Sequence, residues 1–176
     1  MKKVLNIREE YEITPYTLMV RPIEHEGNLC SQIFELYDEF IVLEKPITII
    51  KTSCEYFGSS YEGRREGTRN LTGYTHKAPI VIDQSSSIFF FPTTSPAKES
   101  CEWVAHNHID IFMKDHNNET VLIFSNKQKI QLSVSYSTFE TQVARTAMLK
   151  TKLDQRIAET RWKYRIWQKH PTDNKH

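Results

Sequence analysis

The chain has 176 residues with 23 basic and 22 acidic side chains, for a net charge of +1. That length suits one domain, or one domain plus a tail, and the near-balanced charge excludes a general attraction for nucleic acid, so any such binding must come from how charge is distributed. No run of 18 apolar residues exists and the N-terminus Met-Lys-Lys-Val-Leu-Asn-Ile-Arg-Glu-Glu has no apolar signal core, which argues for a cytoplasmic protein without a membrane span or secretory leader.

In chain order, eight short runs read as strands: residues 17–20, 40–43, 47–50, 80–82, 88–91, 109–112, 120–124 and 129–134. They are rich in β-branched or aromatic residues and bounded by turn formers. Residues 30–37 are ambiguous between strand and short helix. Glu44-Lys45-Pro46 and residues 125–128 read as hairpin connections, Pro22, Pro92 and Pro96 mark other strand ends, and residues 92–100 read as a mobile loop. These elements predict an α+β protein with a mainly antiparallel, curved or barrel-like sheet.

Four of the five glycines lie between Gly58 and Gly73, in a segment that also carries Arg64, Arg65 and Arg69 beside Ser59, Ser60 and Thr68. Such a loop suits a closely approached anion. Glycine removes the Cβ, arginine offers a planar fork of donors, and hydroxyls add more. The spacing Gly58-x-x-x-x-Gly63 resembles a P-loop, but Arg64 and Arg65 stand where Lys and Ser or Thr belong. A nucleic-acid backbone is the favoured anion, and a solvated hairpin loop is the plain alternative. Read as a slim loop, the segment would enter a narrow A/T-rich minor groove, where inserted arginine is favoured.

Cys30, Cys54 and Cys101 are odd in number and widely spaced, which suits reduced thiols. If residues 106–108 are strand, His106 and His108 share a face and could meet a metal with Cys54 or His76. The chain lacks C-x-x-C and H-E-x-x-H spacings, so a hydrogen-bonded histidine pair is preferred over a metal. No serine or cysteine sits in a nucleophile elbow, and acidic neighbours flank Cys54 and Cys101. We therefore expect no enzyme activity, no cofactor and no metal.

From Ser137 the period changes. Ser137-x-x-Glu140 has capping-box form, and no Gly or Pro follows until Pro171. The expected organisation is a β-rich domain over 1–136 containing the basic Gly-rich loop 54–73, an amphipathic helix over 137–170, and a disordered tail over 171–176. Phe139, Val143, Leu153, Ile157 and Tyr164 form the helix's apolar stripe, interrupted by Lys150. Arg145, Lys152, Arg156 and Lys163 share a second face at about 220–260° from Phe139. That face suits a phosphate backbone, a plain solvated surface or a dimer helix.

Charge is polarised along the chain: −4 over residues 1–50, +2 over 51–77, −2 over 78–137 and +5 over 138–170. The two basic segments would have to converge in space to act together.

Several blocks carry a family resemblance. They are Cys54-Glu-Tyr-Phe-Gly-Ser-Ser-Tyr-Glu-Gly-Arg-Arg-Glu-Gly-Thr68, His76-Lys-Ala-Pro-Ile80, Ile88-Phe-Phe-Phe-Pro-Thr93, Cys101-Glu-Trp-Val-Ala-His106 with His108, Phe124-Ser-Asn126, and Ser135-Tyr-Ser-Thr-Phe139 leading into Gln142-Val-Ala-Arg-Thr-Ala-Met-Leu149. In that order, over about residues 10–160, they resemble the competence transcription factor family, ComK, of low-GC Gram-positive bacteria. The resemblance implies a nucleoid-associated, DNA-binding activator of competence genes that binds paired A/T-rich boxes, largely through the minor groove, as a dimer or dimer of dimers. It implies RNA polymerase as an indirect partner and capture by an adaptor of a Clp protease. The segment Tyr164 to Trp167 departs from the family's aromatic-aliphatic-Pro-Lys element, which leaves open adaptor recognition through the tail; the alternative function is a partner-binding paralogue without DNA binding that titrates other proteins such as a Clp protease adaptor. Candidate DNA contacts are Ser59, Ser60, Arg64, Arg65, Arg69, Lys77, Arg145, Lys152 and Arg156.

Overall fold

The computed structural model describes residues 5–169, so the expected tail over 171–176 lies outside the described residues. Among the described residues ten strands and three α-helices alternate unevenly. Strands β1 (Asn6–Arg8), β2 (Thr17–His25), β3 (Asn28–Glu35) and β4 (Glu39–Val42) precede helices α1 (Pro46–Tyr56) and α2 (Tyr61–Thr72). Strands β5 (Ile80–Asp83), β6 (Ile88–Pro92), β7 (Trp103–Ala105), β8 (Ile109–Lys114), β9 (Glu119–Phe124) and β10 (Lys129–Ser135) lead into helix α3 (Tyr136–Lys169).

The strands build two open sheets. The larger has the order β1-β4-β3-β2-β7-β6-β5 and is antiparallel except for the parallel β1–β4 pair; the smaller is β10-β9-β8. The protein is α+β, as expected, but neither sheet closes into a barrel. Pro22 lies inside β2 opposite Ser31 rather than at a strand end, and residues 30–35 resolve as strand.

Side-chain alternation divides the core between the two faces of the large sheet. Ile88 and Phe90 of β6, with Trp103 and Ala105 of β7, join Ile49, Ile50 and Cys54 of α1 and Tyr61 of α2 in one cluster. Phe91 and Val104, from the opposite face, pack with Leu122, Phe124, Ile130 and Leu132 of the small sheet and Phe139 of α3. A register shift between Thr17 and Met19 breaks the alternation, so Leu18 and Met19 both serve this second cluster. The large sheet is therefore buried on both sides, between α1 and α2 on one and the small sheet with α3 on the other.

Two expected elements change identity. Residues 47–50 are not a strand but the first turn of α1, and Glu44-Lys45-Pro46 leads into that helix rather than around a hairpin. Pro46 occupies the opening turn, and Pro46, Ile49, Ile50, Ser53 and Cys54 are buried at helical spacing. The β-branched run favoured a strand, but burial of this stripe decides otherwise. Residues 54–73 are likewise not a loop. They form the end of α1, a turn at Gly58 (φ 75°), and α2. Helix α2 tolerates Gly63 and Gly67 because both ends are capped. Ser60 Oγ accepts the Gly63 amide at 3.0 Å, and Gly73 closes the helix in left-handed conformation (φ 79°).

Helix α3 begins at Tyr136, one residue before the expected start. The Oγ of Ser135, not Ser137, accepts the Thr138 amide at 3.3 Å, while Glu140 accepts the Tyr136 hydroxyl at 3.2 Å. Phe139, Gln142, Thr146 and Leu149 are its buried residues. Gln142 is part of the core's polar wiring: its Nε2 donates to the carbonyls of Lys77 and Pro92, both at 2.8 Å.

Candidate nucleic acid interface

Helices α2 and α3 bring the two basic segments together. Leu71 of α2 packs with Leu149 and Leu153 of α3 over Val81 and Phe89 of the sheet. Arg145 of α3 reaches the turn after α2, where its Nη1 donates to the His76 carbonyl at 3.1 Å and its guanidinium lies 4.9 Å from the Tyr74 ring centroid. Arg65 and Arg69 of α2 border a surface hollow that Tyr74 and Thr75 also line. An adjoining hollow of about 330 Å³ is walled by Arg65 again, with Lys51, His76 and Lys77. Basic groups from α1, α2, the α2–β5 turn and α3 thus share one continuous surface.

Within it the residues differ. Arg65 is exposed, and its guanidinium lies 5.6 Å from the ring centroid of buried Tyr61, whose hydroxyl burial pushes up to about 12. Arg69 is exposed and ion-paired with Glu66 at 2.6 Å, a surface pair worth little that a phosphate can replace. Lys51 pairs with Glu62 at 3.7 Å. Arg64 is half-buried with a buried Nε that has no protein partner, and its charge acts on Cys54. Lys77 sits at a left-handed turn position (φ 48°). Lys152 and Arg156 are exposed on α3, on the same helix side as Arg145.

The hydroxyls divide differently. Ser60 is the α2 cap, and Ser59 directs its amide to the Cys54 carbonyl at 3.0 Å. Thr68 is buried and donates to the Pro79 carbonyl at 2.8 Å, so it cannot line a groove wall. Shape imposes a further limit. A helix with side chains is about 10–12 Å across, whereas the B-DNA minor groove is about 6 Å wide, so α2 cannot enter as the slim loop expected from its glycines. Its arginine side chains can.

Lys51 and Tyr74 join this surface without having been singled out in the sequence, and His76, which the sequence offered only as a metal partner, joins it as well. The helical stripe of α1 would have found Lys51, because it is the basic residue among the positions left outward once 46, 49, 50, 53 and 54 are turned inward. Tyr74 carries no such signal, since its role depends on a residue 71 positions away.

The alternative metal site is not assembled. His106 and His108 lie in a turn of 3-10 helix rather than a strand. His108 bonds the Pro15 carbonyl at 2.7 Å, while His106 sits near Lys150 and the Val143 backbone, its imidazole held below the usual range first by burial and then by the Lys150 charge. Among the described residues no three His, Cys, Asp or Glu side chains gather as a metal would require. The Cys54 and Cys101 thiols are buried, and burial pushes both up to about 11. No helix among the described residues is long and apolar enough to cross a membrane.

Comparison with known proteins agrees with the order of motifs. The competence transcription factor of Bacillus subtilis (strain 168) is 44% identical over 149 residues, covering 85% of this chain and 78% of that protein. No solved structure matches. The family described as ComK protein matches residues 8–158, and the chain belongs to that family.

Proposed function

We propose that this protein is a DNA-binding activator of competence transcription, acting in the cytoplasm at the nucleoid and by binding rather than catalysis. The observation that carries the reading is the placement of Arg65, Arg69 and Arg145 around Tyr74, with Lys51 and Lys77 in the adjoining hollow, where these cations outnumber the Glu62 and Glu66 carboxylates that line the same hollows. Lys152 and Arg156 extend it along α3. Cations spaced along a helix at 1.5 Å per residue can follow a phosphate backbone, and each neutralised phosphate steepens the salt dependence.

In this reading α2 rides on the phosphates and its arginines reach into the minor groove of A/T-rich boxes, where the narrow groove concentrates negative potential. Ser59 and Ser60 lie at the α2 N-terminus, where their hydroxyls can donate to phosphate. Arg64 has less freedom and supports the α1–α2 turn. Pairing of boxes is read by a dimer or dimer of dimers, because linked sites gain avidity from spacing rather than from further base contacts. RNA polymerase is engaged indirectly, through promoter occupancy.

The test is fluorescence anisotropy of the purified protein on a duplex with two spaced A/T boxes and on a G/C-substituted control, across several salt concentrations. Preference for the A/T duplex with a negative salt slope is the expected result. Equal or absent binding by folded protein overturns the DNA reading. It would favour the second reading, a partner-binding paralogue or a target of a Clp protease adaptor, which the exposed Tyr164, Ile166 and Trp167 support.

A further inference from the structure

Beyond Leu153, α3 leaves the body of the protein. Its described residues from 154 to 169 are exposed apart from half-buried Ile157, yet they carry Trp162, Tyr164, Ile166 and Trp167. At 100° per residue Ile157 and Tyr164 continue the stripe that Phe139, Thr146 and Leu153 use against the sheets, and Trp167, about 60° round the helix from Tyr164, stacks on it at 6.0 Å. Trp162 and Ile166 lie on the opposite side. A helix end that is apolar on two sides requires a partner that covers it broadly, and a phosphate backbone cannot provide that.

Charge decides between partners. Residues 158–169 hold four basic side chains (Arg161, Lys163, Arg165, Lys169) and one acidic, Glu159. In a seam formed by Ile157, Tyr164 and Trp167, the flanking positions are Arg156, Arg161 and Lys163. Two such helix ends laid together would set cation against cation. The segment therefore calls for an acidic surface with some apolar area.

The same molecule has one. Glu9, Glu10 and Glu12 lie between β1 and β2, exposed and without an ion pair among the described residues. Glu44, between β4 and α1, is close enough to Glu10 and Glu12 that burial and then their charges raise its carboxyl above the usual range. Beside them Ile7 and Leu43 are about half exposed, at 51% and 47%, on the open edge of the large sheet, where the Leu43 amide bonds the Arg8 carbonyl. Repelling carboxylates next to uncovered apolar residues complement a basic aromatic helix end.

We propose that the protein self-associates reciprocally: the basic, aromatic end of α3 in each of two copies seats on the acidic edge formed by Glu10, Glu12 and Glu44 in the other. This deepens the oligomer assumed in the proposed function and gives it an interface with two different halves.

Two variants separate the halves. Arg161→Glu with Lys163→Glu reverses the helix end; Glu10→Lys with Glu12→Lys reverses the edge. All four positions are exposed, and an unchanged thermal melt confirms folding. Sedimentation velocity of each variant alone should show self-association weakened tenfold or more relative to wild type. An equimolar mixture pairs the unaltered helix end with the unaltered edge and the reversed helix end with the reversed edge, and should recover a dimer. A chain carrying all four substitutions should regain association, since the charges are exchanged. A mixture that stays monomeric, an edge variant that associates like wild type, or a wild-type protein that is monomeric at all concentrations overturns the proposal. Binding to a duplex with a single A/T box is measured in parallel. Its absence in wild type would fault the DNA reading alone, whereas absence of association with box binding retained faults only this interface.

Discussion

The two halves of α3 are one unbroken helix with opposite relations to the rest of the protein. Up to Leu153 its inward face is fixed by the core: Phe139 against Phe91 and Phe112, Gln142 bonded to two backbone carbonyls, Leu149 against Phe89 and Val81. From Asp154 onward the helix continues with large aromatic residues that touch nothing in the body. The difference shows that the first half is fixed by the protein's own core, whereas the second half is not. Arg145 stands on the first half, held by Tyr74 and His76, so the basic surface near α2 is rigidly placed while Arg161 and Lys163 are carried outward.

Substitutions should divide along the same line. Phe139→Ala removes a fully buried ring between the two sheets and α3, and should lower the stability measured by urea unfolding by about 3–5 kcal/mol. Gln142→Ala strands the Lys77 and Pro92 carbonyls, and should cost about 1–3 kcal/mol in the same assay. A value near zero for either would mean that the first half is not docked as described.

Smaller effects sharpen the picture. Gly67 lies inside α2 with helical backbone, and a Cβ there meets no atom within 4 Å, so Gly67→Ala should stabilise by about 1 kcal/mol by thermal melting. If DNA binding is weakened at the same time, the glycine serves close approach of the duplex rather than the fold. His106, beside the first half, is held neutral by burial and Lys150. An unfolded histidine protonates near about pH 6.5 and the folded one only below that, so its contribution is complete above about 6.5 and is lost as the pH falls toward the folded value. His106→Gln should flatten the loss of stability as the pH falls below about 6.5, read from melts across that range. Least affected of all should be Trp167→Ser, within about 0.5 kcal/mol for the monomer, because nothing in the body leans on it.

The sequence made α3 legible because a long stretch free of Gly and Pro has few other outcomes, and its second half was no harder to see than its first. What it hid was the role of each half, since docking is settled by partners far away in the chain. The β-branched residues 47–50 favoured a strand, and only the spacing of Pro46, Ile49, Ile50, Ser53 and Cys54 held the contrary signal. In α2 the glycines argued for a loop, although Ser60 and Gly73 already bracketed a helix at its two ends. Six of the eight expected strand runs lie within strands, residues 40–43 run one position past β4, and β1 and β7 were too short to announce themselves. The basic candidates were visible as residues but not as a surface. Arg65 and Arg145 are 80 positions apart, and their convergence depends on α2 and α3 packing over β5 and β6.

The most direct test of that surface removes charge from it without touching the core. Arg65→Ala combined with Arg69→Ala alters two exposed side chains, and the affinity of the variant for a duplex with two A/T boxes is compared with wild type across salt concentrations. Melting should be unchanged, binding weaker, and the salt slope shallower by about 0.9 for each phosphate that is no longer neutralised. Wild-type affinity with a wild-type slope in the folded variant would contradict the assignment, and would place the DNA contact away from α2.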